Sequence, residues 1–386
     1  MNITCFTDQA ARRTLATFLS LPVFVMAATS ISTASSASSV SWRYRVLTLA
    51  PLGAVAWLAL VIASVPALAR LGVSPLMLAM CAGMIACNVL PRHWLAPLAP
   101  GMQLARQTLL RLGVALYGLR LTFGSIEALG AGGILAPLLM LVATLAFGTW
   151  AGSRWFGLSR REAIVVSAGS AVCGAAAAIA VASIVRSDDR ETAVAVATVV
   201  LFGTVGMLVY PYLYELATSV WHWQIGQRAF GIYTGATLHE VAQVIAAGKA
   251  VGDTTGDAAV LAKMVRVLAL GPLLLTLALW PASHGGSDDQ ARGAGRDWAK
   301  LRAAVPWFAL GFVAVMAINS FGMVPAEWKP GLVAFDNWLL ACAMLAIGLH
   351  TRISDLLRAG RKPIMLAAML FVFLVAGGAA VCALIL

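Results

Sequence analysis

From about residue 45 to the C-terminus, the chain alternates long apolar runs with short polar breaks. The runs exceed strand length and show no alternation of apolar and polar positions, so they predict helices rather than strands. Eleven runs are long enough to be read as spans, at roughly 45–69, 73–91, 103–121, 130–150, 164–185, 192–214, 224–248, 256–280, 301–320, 331–350 and 363–386. The breaks between them are short, except for "PASHGGSDDQARGAGRDWAK" at 281–300, which reads as a polar loop. The pattern predicts an all-α polytopic membrane protein of about 11 transmembrane helices, with one transmembrane domain over 45–386. Residues 1–44 form a variable leader, partly apolar and serine-rich. That leader is compatible with a signal-like segment, an interfacial helix or an extra span.

Composition agrees. Of 386 residues, 61% are hydrophobic and 11% charged, against about 25% charged in soluble domains. The net charge of +11 needs no nucleic-acid partner, because basic residues gather in cytoplasmic loops of membrane proteins. With the start of the first span inside, the inside loops hold fifteen cations: Arg43, Arg45, Arg92, Arg154, Arg160, Arg161, Arg228, Arg292, Arg296, Lys300, Arg302, Arg352, Arg358, Arg361 and Lys362. The outside loops hold six: Arg70, Arg120, Arg186, Arg190, Lys249 and Lys329. This layout puts loop 281–300, with Ser287, in the cytoplasm and the C-terminus outside. The six cysteines (Cys5, Cys81, Cys87, Cys173, Cys342 and Cys382) form no CxxC pair and sit mostly in apolar runs, so they read as packing residues.

Two internal echoes stand out. "LLRLGVALYGLRLTFGSIEALGAGG" at 109–133 matches "LLACAMLAIGLHTRISDLLRAGRKP" at 339–363, pairing Gly118 with Gly348 and Gly130 with Gly360. An odd number of spans separates them, as inverted repeats require. "CGAAAAIAVASI" at 173–184 also resembles "TGATLHEVAQVI" at 234–245, pairing Gly174 with Gly235, but those two spans would point the same way. The repeat boundary therefore stays open.

The candidate chemistry lies in four places. "GSAVCGAAAAIAVAS" at 169–183 carries no charge and few large side chains. It suits close helix packing, or a helix break at 169–174 whose freed N–H groups face an anion. Gly169, Ser170, Cys173 and Gly174 are its candidate substrate contacts. Thr237, His239, Glu240 and Gln243 lie in an otherwise apolar run, where a carboxylate must face a protein interior or cavity. His239, Glu240 and Gln243 are the candidate ion-coupling groups. Lys263 and Arg266 share a helix face at a depth similar to Glu240, predicting contact with it, and together with Thr237 they are further candidate substrate contacts. Arg111 is the deeper of two arginines in its span and is a candidate anion contact, whereas Arg106 suits snorkelling to headgroups. Asp336 reads as an interfacial helix cap. No phosphate loop, dinucleotide fingerprint, HExxH zinc motif or serine-hydrolase elbow is present. No cofactor and no metal are expected.

The segments "LLRLGVALYGLRLTFGSI", "SAVCGAAAAIAVASIV", "LFGTVGMLVYP", "GIYTGATLHEVAQVIAAG" and "GLHTRISDLLRAG" together resemble the YeiH (UPF0324) family over roughly 45–386. Its members are taken to be sulfate exporters. That family usually has serine after the Cys-Gly pair, whereas Ala175, Ala176 and Ala177 follow here. The resemblance implies inverted repeats and broken helices like those of bile-acid and cation/proton-antiporter transporters, in a bacterial inner membrane. The expected function is secondary transport, as an exporter, of a small anion such as sulfate, sulfite or an organosulfonate, coupled to protons or sodium. The alternatives are an ion channel, or a membrane-embedded enzyme with Glu240 and His239 as acid and base. The expected partners are the anion, the coupling ion and the lipid bilayer, and a homodimer is compatible with all of these.

Overall fold

The structure is a computed structural model that describes residues 42–63, 65, 74–279, 307–352 and 360–386. The leader 1–41, the whole of loop 281–300 with Ser287, and residues 353–359 of the first echo lie outside the described residues. All regular structure among the described residues is helical.

Helix α1 (Trp42–Ala63) is followed by α2 (Pro75–Val89), which Ser74 opens by accepting the Met77 N–H, with Pro75 in the first turn. The run 92–120, here α3, is wound from Arg92–Leu95, Ala99–Leu104 and Leu110–Leu116, joined by a 3-10 turn and by a π-turn at Ala105–Leu109. Next come α4 (Phe123–Arg154), α5 (Arg160–Ala171), α6 (Ala175–Val185) and α7 (Asp189–Glu215). The chain continues through α8 (Gln227–Thr237), α9 (Val241–Val251), α10 (Asp253–Leu268) and α11 (Leu270–Leu279). It closes with α12 (Trp307–Ser320), α13 (Lys329–His350) and α14 (Arg361–Ile385). Six helical stretches are long and apolar enough to cross a membrane, including Asp253–Leu277, which joins α10 to α11. Four more, α2, α6, α9 and α12, are apolar but shorter.

Two of the eleven expected spans do not cross the bundle. Residues 164–185 and 224–248 each break at the middle and fold back. In the first, Gly169 of α5 packs against Ala178 of α6, and Arg161 at the start of α5 donates to the Arg186 carbonyl just past α6 at 3.3 Å. The arms are therefore antiparallel, and both open at one end of the bundle. In the second, Gly231 and Gly235 of α8 pack on Thr255–Ala259 and Ala259–Ala262 of α10, in parallel. Gly248 of α9 packs on Gly256 of the same helix, in the antiparallel sense, and Gly252 returns to Gln227. A run of over twenty apolar residues is long enough to cross a bilayer. Length cannot reveal that its second half turns back.

The hairpins enter from opposite ends, with only α7 crossing between them. The first opens beside Arg154, where Ser159 donates to Glu191 at 2.9 Å. The second opens beside the start of α4, where Arg228 donates to the Ala128 carbonyl at 3.2 Å. This removes the conflict over the second echo, since hairpins separated by one crossing are inverted. The echo was also out of register. The tips lie at Val172–Gly174 and Leu238–Glu240, so Gly169 and Gly235 correspond, rather than Gly174 and Gly235.

The first echo holds in three dimensions. Gly118 of α3 packs on the α12 backbone at Phe312 and Met316, and Gly348 of α13 packs on the α2 backbone at Met80 and Met84. Gly130 (φ 71°) and Gly360 (φ 95°) both take the left-handed region. The same spacing pairs Gly148 of α4, which seats Ser167 of the first hairpin, with Gly378 of α14, which seats Thr237 and Tyr233 of the second.

The hairpins also redistribute charge. Arg186 and Arg190, expected outside, join Arg154, Arg160, Arg161, Arg361 and Lys362 at the basic end. Arg228, expected inside, moves to the other end with Arg120, Lys249 and Lys329. The separation of charge becomes cleaner, which assigns the basic end to the cytoplasm. Single cysteines replacing Ser153 and Asp189 should both resist a membrane-impermeant maleimide added to intact cells, whereas those replacing Trp223 and Thr254 should both label. Opposite labelling of Ser153→Cys and Asp189→Cys would mean that the first hairpin crosses.

Candidate functional site

The two hairpin tips meet in the interior. The first helix pair is interrupted at Val172 (φ −115°, ψ −93°) and Gly174 (φ 82°, ψ −134°). Gly174 requires the freedom of glycine, and a Cβ there would also collide with the Glu240 side chain. The break thus spans 172–174, and Gly169, expected within it, is helical and packs against Val199. The second pair is interrupted at Leu238, His239 and Glu240, where the backbone turns extended.

Breaking two helices leaves two carbonyl ends and two N–H ends in the interior. Unpaired, each such group is costly away from water. Arg266 of α10, fully buried, serves both carbonyl ends. Its Nε donates to Ala171 at 2.8 Å and one terminal nitrogen donates to Ser170 at 2.8 Å, with a further bond to Ala171. The other terminal nitrogen reaches Ala236 and, at 3.3 Å, Leu238. One turn away, the buried Lys263 donates to the Leu238 carbonyl at 2.6 Å. The two cations therefore do not pair with Glu240, as their shared depth suggested. They complement the negative ends of α5 and α8.

Glu240 complements the positive ends. Its carboxylate accepts the Ala175 N–H of α6 at 3.4 Å and caps α9 by accepting the Gln243 N–H. The Gln243 side-chain oxygen takes the Glu240 N–H at 3.2 Å, completing a reciprocal cap. Glu240 is half-buried, whereas its neighbours are fully enclosed. Arg106 lies within electrostatic range of it, carried there by the π-turn of α3. Arg111 is exposed and lies outside the crossing, contrary to expectation. The signal for Arg106 was absent from the sequence, since a π-turn shifts which face an arginine occupies.

The remaining candidates divide. Ser170 donates to the Val166 carbonyl at 3.2 Å, and Thr237 donates to Tyr233 at 2.6 Å while accepting the Tyr210 hydroxyl at 2.8 Å. Both hydroxyl protons are committed to the fold. Cys173 is buried at the first tip. His239 is 1% exposed and faces the Phe371 ring at 6.3 Å, with no protein partner for either ring nitrogen. The Gln243 amide nitrogen is likewise buried and unpartnered. No group of three or more metal-ligating residues occurs among the described residues. Asp336, expected to cap a helix at the interface, is instead buried two turns into α13 and pairs with Arg120 at 3.0 Å. Beside it, Tyr117 donates to Asp257 at 2.9 Å, and Lys249 pairs with Asp253 at 2.8 Å and Asp257 at 3.1 Å.

A family model described as "Conserved hypothetical protein 698" matches residues 47–367. The UPF0324 membrane protein RSc1111 of Ralstonia nicotianae is 50% identical over 81% of this chain and 86% of its own length. The inner membrane protein YeiH of Escherichia coli K12 is 41% identical over 82% and 88%. The chain belongs to the UPF0324 family. No solved structure matches it. The UPF0324 relatives are membrane proteins, and with its long apolar helices this one is a multi-pass protein of the bacterial inner membrane. The matched residues 47–367 include both hairpins of this chain.

Replacing Arg266 with methionine should leave several buried carbonyls without a donor and cost about 3–5 kcal/mol, the range for stripping one side of a buried charged network. Lys263→Met removes one charged hydrogen bond and should cost about 1.5–3 kcal/mol. Thermal unfolding of the detergent-solubilised proteins should rank wild type above Lys263→Met above Arg266→Met.

Proposed function

We propose that this UPF0324 protein is a secondary transporter, not an enzyme, and carries a small anion such as sulfate, sulfite or an organosulfonate with a proton or sodium as coupling ion. The observation that carries this reading is the charge balance at the hairpin tips. Two helix N-terminal ends converge there, each equivalent to roughly half a positive charge. Arg106 and Lys263 lie within electrostatic range of a single carboxylate, Glu240. Helix N-termini in a broken helix are ready-made anion sites.

The glycine pairs 118/348, 130/360 and 148/378, spaced alike in opposite-running helices, support an inverted repeat. Rocking of two such halves about a midpoint site is how inverted-repeat transporters alternate access. An exporter is the direction that the family resemblance favours. Cys173, Gly174, His239, Gln243 and Lys263 are the cargo-facing candidates that remain. The enzyme reading has less support, because His239 faces Phe371 and shares no hydrogen bond with Glu240.

In proteoliposomes, the purified protein should give saturable flux of radiolabelled sulfate, thiosulfate or methanesulfonate that responds to an imposed proton or sodium gradient. Other oxyanions should compete, and neutral amino acids should not. Competition by a neutral amino acid alone would overturn the anion reading. Chemical turnover without crossing would favour an enzyme.

A further inference from the structure

The carboxylate of Glu240 occupies the place that an anionic cargo would be expected to take. It sits on the N-terminal end of α6 through Ala175 and on the N-terminal end of α9 through its own cap. At 3.4 Å the bond to Ala175 is at the long limit of the useful range, so little holds the carboxylate on that end. Around it stand buried polar atoms that it leaves unsatisfied: both ring nitrogens of His239 and the amide nitrogen of Gln243. Buried polar groups are normally paired, and exceptions call for an explanation. A carboxylate has two oxygens, already shared between two helix ends. A sulfonate or sulfate has three or four.

We propose that Glu240 is a tethered stand-in for the cargo, so that an oxyanion takes the seat between the α6 and α9 N-terminal ends only when Glu240 binds a proton and withdraws. This rests on the anion-transport reading and deepens it. The proton passes from water to the Glu240 carboxylate, and the oxyanion accepts the N–H groups that the carboxylate releases. Each cargo anion is thus accompanied by one proton, which travels with it. Sodium is then unnecessary at this seat.

The groups facing Glu240 fit a single-proton exchange. Arg106 lies within electrostatic range from α3 and Lys263 from α10, with Cys173 on the first tip and His239 beside Glu240 on the second, while Arg266 lies by His239 and the carbonyl ends. Val199 and Gly203 of α7 and Phe371 of α14 line Gly174, Gln243 and His239, and none of them titrates. Arg106 supplies positive charge for whichever anion is seated, whereas Lys263 and Arg266 stay with the carbonyl ends they serve. Without any anion the two N–H ends would have no acceptor, so the empty transporter needs Glu240 ionised.

The test is equilibrium binding of radiolabelled sulfate, thiosulfate and methanesulfonate to the full-length protein in detergent, from mildly acidic to mildly alkaline pH. These are anions of strong acids, so only the protein titrates. Above the titration of Glu240, one linked proton should weaken apparent affinity about tenfold per pH unit. Glu240→Gln, which like protonated Glu240 carries no charge to hold it on the helix ends, should bind with no pH slope and at least as tightly as wild type at low pH. Glu240→Ala serves as a second empty-seat variant, and thermal unfolding checks that each is folded. In proteoliposomes, Glu240→Gln should keep anion–anion exchange and lose the response to a proton gradient. A flat pH profile for wild-type binding would overturn the proposal while leaving anion transport standing. So would loss of binding in both folded variants, or a pH slope abolished by His239→Gln and kept by Glu240→Gln. If none of the three probes binds to any folded form at any pH, the anion reading falls together with the proposal.

Discussion

Everything at the centre of this protein depends on how four interrupted helix ends are satisfied away from water. Two carbonyl ends converge on Arg266, with Lys263 beside it, and two N–H ends converge on Glu240. Arg266 and Glu240 each meet two half-charges of opposite sign, so neither needs a side-chain counter-ion, and Lys263 adds to the carbonyl end of α8 alone. This is why buried residues of opposite charge lie close together here without pairing. It also explains the small residues of the surroundings. Glu240 fits only because Gly174 has no side chain, and the Gln243 amide lies where any side chain at Gly203 would stand.

The same arrangement is built twice. Helix α4 seats the first hairpin through Gly148, and α14 seats the second through Gly378. Helices α2 and α13 meet through Gly83 and Gly348, and α3 meets α12 through Gly118. Small residues let helix backbones approach closely where lipid offers no hydrophobic drive for association. The halves differ at the tips. One carries Cys173 and Gly174, and the other His239 and Glu240. A symmetric frame therefore holds an asymmetric centre, with the ionisable chemistry on the second hairpin and the space for it on the first.

At the end opposite the basic loops, a second polar cluster ties the base of the second hairpin to the frame. Lys249, at the exit of α9, shares Asp257 with Tyr117 of α3. Arg120, from the same turn of α3 as Tyr117, pairs with Asp336 of α13. Together, the Lys249–Asp257 and Arg120–Asp336 pairs join helices from both halves. Lys249 and Arg120 also lie over the Tyr117 ring, at 5.6 and 4.9 Å.

The sequence by itself determined the membrane class, the helical content, the buried polar residues of 237–266 and a glycine spacing that proved structural, but not the burial of Asp336 or the exposure of Arg111. Those follow from local rules: apolar run length, the cost of a buried charge, and the need for small residues at close contacts. The tertiary structure alone decided that two runs fold back, which end Arg186, Arg190 and Arg228 occupy, and which charges meet. A helix that crosses and a helix pair that returns have the same length and hydropathy, and only packing against α4, α7, α10 and α14 distinguishes them. The partners of Lys263 and Arg266 were hidden for a related reason. They are backbone carbonyls, present at every residue, and a helix must be broken before any of them is free to accept.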